Sequence, residues 1–240
     1  MVILAITILT TTFSGSPSLL NDTHCTTVSP PNSGSSLRSR IALVDTLSND
    51  LPSPSFVQTI RIVADKAGFA LDYYEANSST LELFLNLPRM NYTIVVFRTH
   101  GWEAVLTTSD PYSQQTYVID QLLGRVGAQR VNQTVYFAMT PSTVTSLMCG
   151  RFSGTIIMAM GCSTMSRTDL ADAFLRRGAR AFIGWDGGVS MSHSELTFSL
   201  VIQMLLGHDT IPSTIETAMH QIGPDPWHGG KLRYYPAIGG

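Results

Sequence analysis

Two stretches of this sequence end an apolar run on residues able to do covalent or proton chemistry. "YTIVVFRTHG", residues 92–101, closes on His100 and Gly101, and "GTIIMAMGCS", residues 154–163, closes on Gly161, Cys162 and Ser163. A thiol attacks as its thiolate, so a catalytic cysteine needs a base nearby and an opening through which a carbonyl can approach. An imidazole is such a base near neutral pH. Gly101 has no Cβ, which lets the backbone come close to a substrate and aim its N–H at a developing oxyanion. Gly161 permits a tight exit into the turn that presents Cys162.

The two stretches can cooperate only if a sheet sets their ends side by side. Apolar β runs alternate with helical spacing along the chain. "RIALVD", ending at Asp45, reads as a strand, and "SFVQTIRIVADKAG" places Phe56, Val57, Ile60 and Val63 on one helical face before Gly68. "FALDYY", "TVYFAM" and "ARAFIGW" read as further strands. "SSTLELFLNL", "RTDLADAFLRRG", "ELTFSLVIQMLLG" and "STIETAMHQIG" read as helices. The span from 103 to 153 has a hairpin or loop around Asp110 and Pro111, an amphipathic "YVIDQLLGRVG" and a short helix after Pro141. Parallel strands need crossover connections, so this order predicts a three-layer α/β/α sandwich around a mostly parallel sheet. Ligand sites in such sheets form outside the carboxyl ends of the strands, where His100 and Cys162 both fall.

At 240 residues the chain suits one domain. Residues 1–13, "MVILAITILTTTF", are an apolar opening, either a signal or anchor remnant or a strand packed on the domain. Residues 14–40 are rich in Ser, Thr, Pro and Gly and read as a flexible tether, which leaves 41–240 as the folded domain. Charged residues are only 13% of the chain, against about 25% in ordinary soluble domains. That balance, with N-x-S/T sequons at Asn21, Asn77, Asn91 and Asn132, predicts an extracytoplasmic protein, secreted or tethered to a membrane through its N-terminus. Fifteen Lys and Arg against 17 Asp and Glu, a net charge of −2, give no electrostatic footprint for a nucleic-acid partner. Of the three cysteines, Cys25, Cys149 and Cys162, one must stay unpaired within a monomer. A Cys25–Cys149 bridge would leave Cys162 free, although spacing does not fix that pairing. No CxxC or HExxH pattern points to a metal, and no cofactor is expected.

The setting resembles the caspase-like cysteine peptidases, the group that includes caspases, legumains, gingipains, clostripain and separases. There a His-Gly follows one sheet strand and the nucleophilic Cys follows the next. The same order is kept here, with 62 residues from His100 to Cys162, against about 50 in caspases. "MGCS" is most similar to the separase form, and "LADAFLRRGARAFIGW" is similar to the helix and strand after the nucleophile in gingipain-like domains. The resemblance spans about residues 41–222. It implies a caspase-like fold and a Cys-His dyad acting on a protein or peptide substrate. Cys162 would attack, the Gly101 and Cys162 amides would hold the oxyanion, and His100 would protonate the leaving amine.

The resemblance also implies substrate-binding residues. Asp45 matches a position at the end of the first strand that lines the pocket for the residue ahead of the cut, where an acid would select Arg or Lys. Trp185 would wall that region and Asp186 would lie in the substrate-binding segment. Otherwise Asp45 caps the turn that follows it and Trp185 packs in the core. The chain departs from the group in carrying Met160 two places before the nucleophile, where caspases have Gln and legumains Glu, and Thr164 two places after it. The alternative to a peptidase is a catalytically silent caspase-like domain that binds another protein.

Overall fold

Five of the apolar runs pair as parallel strands, and a sixth strand closes the sheet antiparallel. The structure, a computed structural model, describes Cys25 and residues 39–236. The apolar opening and nearly all of the tether expected over residues 1–40 lie outside the described residues. The six strands are β1 (Arg40–Asp45), β2 (Ala70–Tyr74), β3 (Ile94–Arg98), β8 (Ile156–Ala159), β9 (Ala181–Trp185) and β10 (Leu232–Pro236). They lie in the order β2-β1-β3-β8-β9-β10, parallel throughout except where β10 meets β9.

Successive side chains of a strand face opposite ways, so two cores form. Ile41, Leu43, Val96, Met158 and Ile183 share one with Phe56, Ile60, Phe198 and Val201. These come from helices α1 (Pro54–Lys66) and α6 (Met191–Leu206), with α7 (Ile211–Gln221) adding Ile215 and Ala218. Ala42, Val44, Phe97, Ile157 and Phe182 face the other way. There they meet α2 (Leu81–Asn86), α4 (Pro141–Ser146) and α5 (Asp169–Arg176), whose Phe84, Val144 and Phe174 are fully buried.

Local chemistry sets the helix ends. Pro54 begins α1, where its missing N–H costs nothing, and Gly68 leaves that helix at φ +79°. Thr80 caps α2 by accepting from the Leu83 N–H, and Thr140 with Thr143 forms a capping box on α4.

In the span from 101 to 139 the strand read in "TVYFAM" forms and the amphipathic stretch before it holds a short helix, but the sequence reading lacked the second sheet. A second, antiparallel sheet of order β4-β5-β7-β6 is built from β4 (Gly101–Trp102), β5 (Val105–Pro111), β6 (Gly127–Val131) and β7 (Thr134–Met139), with α3 (Val118–Leu122) between β5 and β6. Leu106, Phe137 and Met139 tie it to the Val44 core. The tail after Gly229 also differs: "LRYYP" adds strand β10 at the sheet edge, where two-sided pairing is not required of it. No helix among the described residues is long and apolar enough to cross a membrane.

Candidate active site

Strands β3 and β8 are direct neighbours, Phe97 opposite Ala159, so the turns leaving them meet on one rim. The Met160 N–H donates to the Phe97 carbonyl (2.9 Å), the last link before the two chains diverge. A Cβ placed on Gly161 would lie 2.6 Å from the Gly101 nitrogen and 2.7 Å from the Thr99 carbonyl oxygen. One placed on Gly101 would lie 2.7 Å from the Cys162 carbonyl oxygen and 2.6 Å from Thr164 Cγ2. Only glycine fits at either position, and this contact joins the His100 and Cys162 turns.

Each turn is held from its outer side. The His100 carbonyl accepts from the Thr107 N–H of β5 (3.0 Å). The hairpin between β4 and β5 turns through Glu103 (φ +37°) and Ala104 (φ +67°), left-handed conformations that cost free energy without glycine. The Ala104 N–H donates to the Ser163 carbonyl (3.2 Å), while the Ser163 N–H donates to Gly187 (2.8 Å). Ser163, itself at φ +54°, thus links the His100 side to the loop after β9. Thr164 is buried; its hydroxyl donates to the Gly161 carbonyl (3.2 Å) and accepts from the Trp185 N–H (3.3 Å).

Cys162 is half-buried and is the free thiol, since Cys25 and Cys149 are bridged. Its sulfur faces the main chain of Val189, 3.4 Å from the carbonyl oxygen to which the thiol donates and 3.5 Å from the N–H. The His100 ring is also half-buried and makes no hydrogen bond among the described residues. Burial pushes its pKa below the ordinary imidazole value, and the Asp50 carboxylate pulls against that shift. His100 and Asp50 line a cleft of about 370 Å³ together with Thr107, Asp110 and Tyr136. Asp50 and Asp110 are its carboxyl groups, and among the described residues no Lys or Arg lines it. Asp110 accepts from the Leu81 N–H (2.6 Å), and burial raises its pKa.

Three residues expected to touch substrate are placed otherwise. Asp45 is wholly buried: Oδ1 accepts from Arg98 Nη1 (2.7 Å) and the Leu47 N–H (3.0 Å), and Oδ2 from the Tyr73 hydroxyl (3.1 Å). Arg98 in turn reaches Glu195 (2.6 Å), so the cation that Asp45 was expected to select is supplied by the chain itself. Burial still pushes the Asp45 pKa up, against the pull of Arg98. Trp185 is buried against Phe198 with its indole N–H on Ser194 Oγ (2.9 Å), so it is core and not a pocket wall. Asp186 fastens β10 by accepting from the Lys231 N–H (2.7 Å) and Arg233 Nε (2.9 Å). Met160 is fully buried beneath the rim.

Sequence reasoning missed Asp50, Val189 and Asp225. Asp225 accepts four hydrogen bonds, from the N–H and hydroxyl of Ser190 and from the N–H groups of Trp227 and His228. Although desolvation opposes it, these bonds hold its pKa down at about 2. The paired glycines 187–188 and 229–230 were the available signal: a Cβ on Gly230 would fall 2.3 Å from the Gly188 carbonyl oxygen, a backbone approach that excludes any larger residue. Among the described residues no group of His, Cys, Asp and Glu is arranged to hold a metal. No protein-family model matches the chain, and no curated protein matches it significantly.

Proposed function

We propose that the protein is a cysteine peptidase of the caspase-like type, a three-layer α/β/α domain that cleaves peptide bonds through Cys162 and His100. The observation that carries this reading is the Gly101–Gly161 contact, which sets an imidazole turn against the turn of the free thiol at the carboxyl end of a parallel sheet. The thiol proton passes to His100 as sulfur bonds to the scissile carbonyl carbon. The oxyanion so formed is received by the Gly101 and Cys162 amides. Collapse breaks the C–N bond, and His100 returns the proton to the leaving amine. Water then hydrolyses the thioester and restores the thiol.

The residue at the cut is Arg or Lys, selected by the Asp50 and Asp110 carboxyl groups in the cleft beside His100 and not by Asp45. The Cys25–Cys149 disulfide and the exposed sequons at Asn77, Asn91 and Asn132 support an extracytoplasmic setting, where disulfides persist. The test compares wild type with Cys162→Ala on a mixed fluorogenic peptide library, alongside labelling by a peptidyl chloromethyl ketone. Turnover confined to wild type, after basic residues, is expected; equal turnover by both would sink the thiol mechanism.

One observation favours a second reading. The sulfur rests on Val189 and the imidazole makes no bond to it, as a silent domain that binds a protein would allow. Absence of both turnover and labelling would establish that reading.

A further inference from the structure

We infer that helix α3 is a membrane-docking surface, which sets Ile119, Leu122 and Leu123 into a lipid bilayer that bears anionic headgroups. The inference goes beyond the peptidase reading and does not depend on it. α3 and the residue after it are built inside out. Val118, Ile119, Leu122 and Leu123 are between 44% and 80% exposed, whereas the polar residues between them turn inward. Asp120 is buried and pairs with Arg125 (3.5 Å). Gln121 accepts from the Tyr112 hydroxyl (2.6 Å) and donates to the Ser113 carbonyl (2.8 Å). A helix on a water-facing surface carries the opposite pattern. These polar bonds fasten α3 to the domain, so its outward apolar side chains are held as one contiguous patch, the kind of surface that marks an interaction site.

Charge and chain length point to lipid as the occupant. From Tyr112 to Thr134 the only acid is the buried Asp120, and the cations are Arg125 and Arg130. Arg130 is exposed and lies opposite Val135, on the face of the small sheet that Phe137 shares. An apolar helix with cations beside it is drawn to anionic lipid. Residues 1–13 are apolar in sequence, and the residues between them and Cys25 can span about 40 Å. Cys25 is bridged to Cys149, just past α4, and the Thr143 hydroxyl of α4 donates to the Arg125 carbonyl at the end of α3. Cys25, Tyr112 and Tyr117 all pack on the Val44 core, so that apolar segment reaches a bilayer from the α3 side of the domain. Docking there leaves the cleft open. Tyr136 lines the cleft, while its neighbour Phe137 faces the other way, against Tyr112 and Tyr117.

The test follows a fluorophore placed on α3 of the full chain. Leu122→Cys is made in the Cys162→Ala protein, so that the new thiol is the free one, and is labelled with a nitrobenzoxadiazole reagent. With vesicles of equal parts phosphatidylcholine and phosphatidylglycerol, emission is expected to rise severalfold and to be quenched by nitroxides on the acyl chains. Binding is expected to be about tenfold tighter than to phosphatidylcholine alone. Ile119→Ser with Leu123→Ser in the labelled protein is expected to weaken it about tenfold, with the urea midpoint unchanged because both side chains are exposed. Emission that stays low with vesicles, or binding that the paired serines leave unchanged, overturns the inference. Emission already high without lipid also overturns it: a signal independent of protein concentration assigns the surface to the chain's own apolar opening, and one that falls on dilution assigns it to a second copy.

Discussion

Gly101 and Gly161 touch through their backbones, the Gly161 Cβ direction pointing 2.9 Å from Gly101 Cα. The atoms that obstruct a Gly161 Cβ, the Gly101 nitrogen and Cα and the Thr99 carbonyl oxygen, are all main chain and cannot swing away as a side chain could. Gly161→Ala should therefore push the two turns apart, with a stability loss of about 1–3 kcal/mol from overpacking. Displacing the reacting groups by an ångström should cost roughly 100-fold in kcat/KM. Urea unfolding and peptide turnover measure the two effects. Unchanged values in both would show that the turns do not meet in this way.

The depressed His100 pKa has two consequences of defined sign. Titration followed by NMR should place its midpoint below the free-imidazole value of about 6.5. Asp50 opposes the shift, so Asp50→Asn should move the midpoint lower still. Because the unfolded chain then binds a proton more readily than the folded one, this group contributes nothing above both pKa values and lowers stability as pH falls through them. A midpoint raised by Asp50→Asn would contradict the arrangement.

Asp45 is a structural anion, and its variants should report on folding. Arg98→Met leaves the buried carboxylate without its cation and should cost about 3–5 kcal/mol in chemical denaturation. Asp45→Ala should also destabilise, by removing one of the two carboxylates that hold the buried Arg98, while leaving the preference for the residue at the cut as in wild type. Loss of basic preference with stability intact would return Asp45 to the substrate pocket.

Asp225 has the opposite linkage to His100. Its folded pKa, about 2, lies below the ordinary carboxylate value of 3.8, so its contribution is present above pH 4 and is lost as pH falls toward 2. Asp225→Asn should flatten the acid limb of the stability profile between those limits. A limb unchanged by the substitution would show that the carboxylate does not hold the loop.

Thiol counting checks the cysteine assignment. The native protein should release one equivalent of thionitrobenzoate from DTNB through Cys162, and all three cysteines should react after reduction and unfolding. Reducing the bridge between Cys25 and Cys149, which spans 124 residues, should lower stability by roughly 2–5 kcal/mol. Three reactive thiols in the unreduced native protein would exclude the bridge.

Much of the sheet was legible because strands buried on both faces write themselves as unbroken apolar runs. "IALVD", "TIVVF", "GTIIMAM" and "ARAFIGW" became β1, β3, β8 and β9, and His100 and Cys162 were legible as the polar residues where two such runs stop. The small antiparallel sheet and β10 were less so: "LRYYP" and "GAQRV" are short, half-exposed edge sequences with Gly, Pro and charged residues, and their pairing is settled by distant partners.

The sequence by itself determined the alternation of strands and helices, the parallel sheet, and the two residue types that end adjacent strands, because local periodicity and turn chemistry act over a few residues. Tertiary structure alone decided what the polar side chains face. Asp45 meets Arg98 across 53 residues, Ser190 meets Asp225 across 35, and Trp185 is covered by α6, all of which follow from which strands and loops become neighbours. A buried carboxylate takes the strongest cation within reach, and in this fold that cation belongs to the chain.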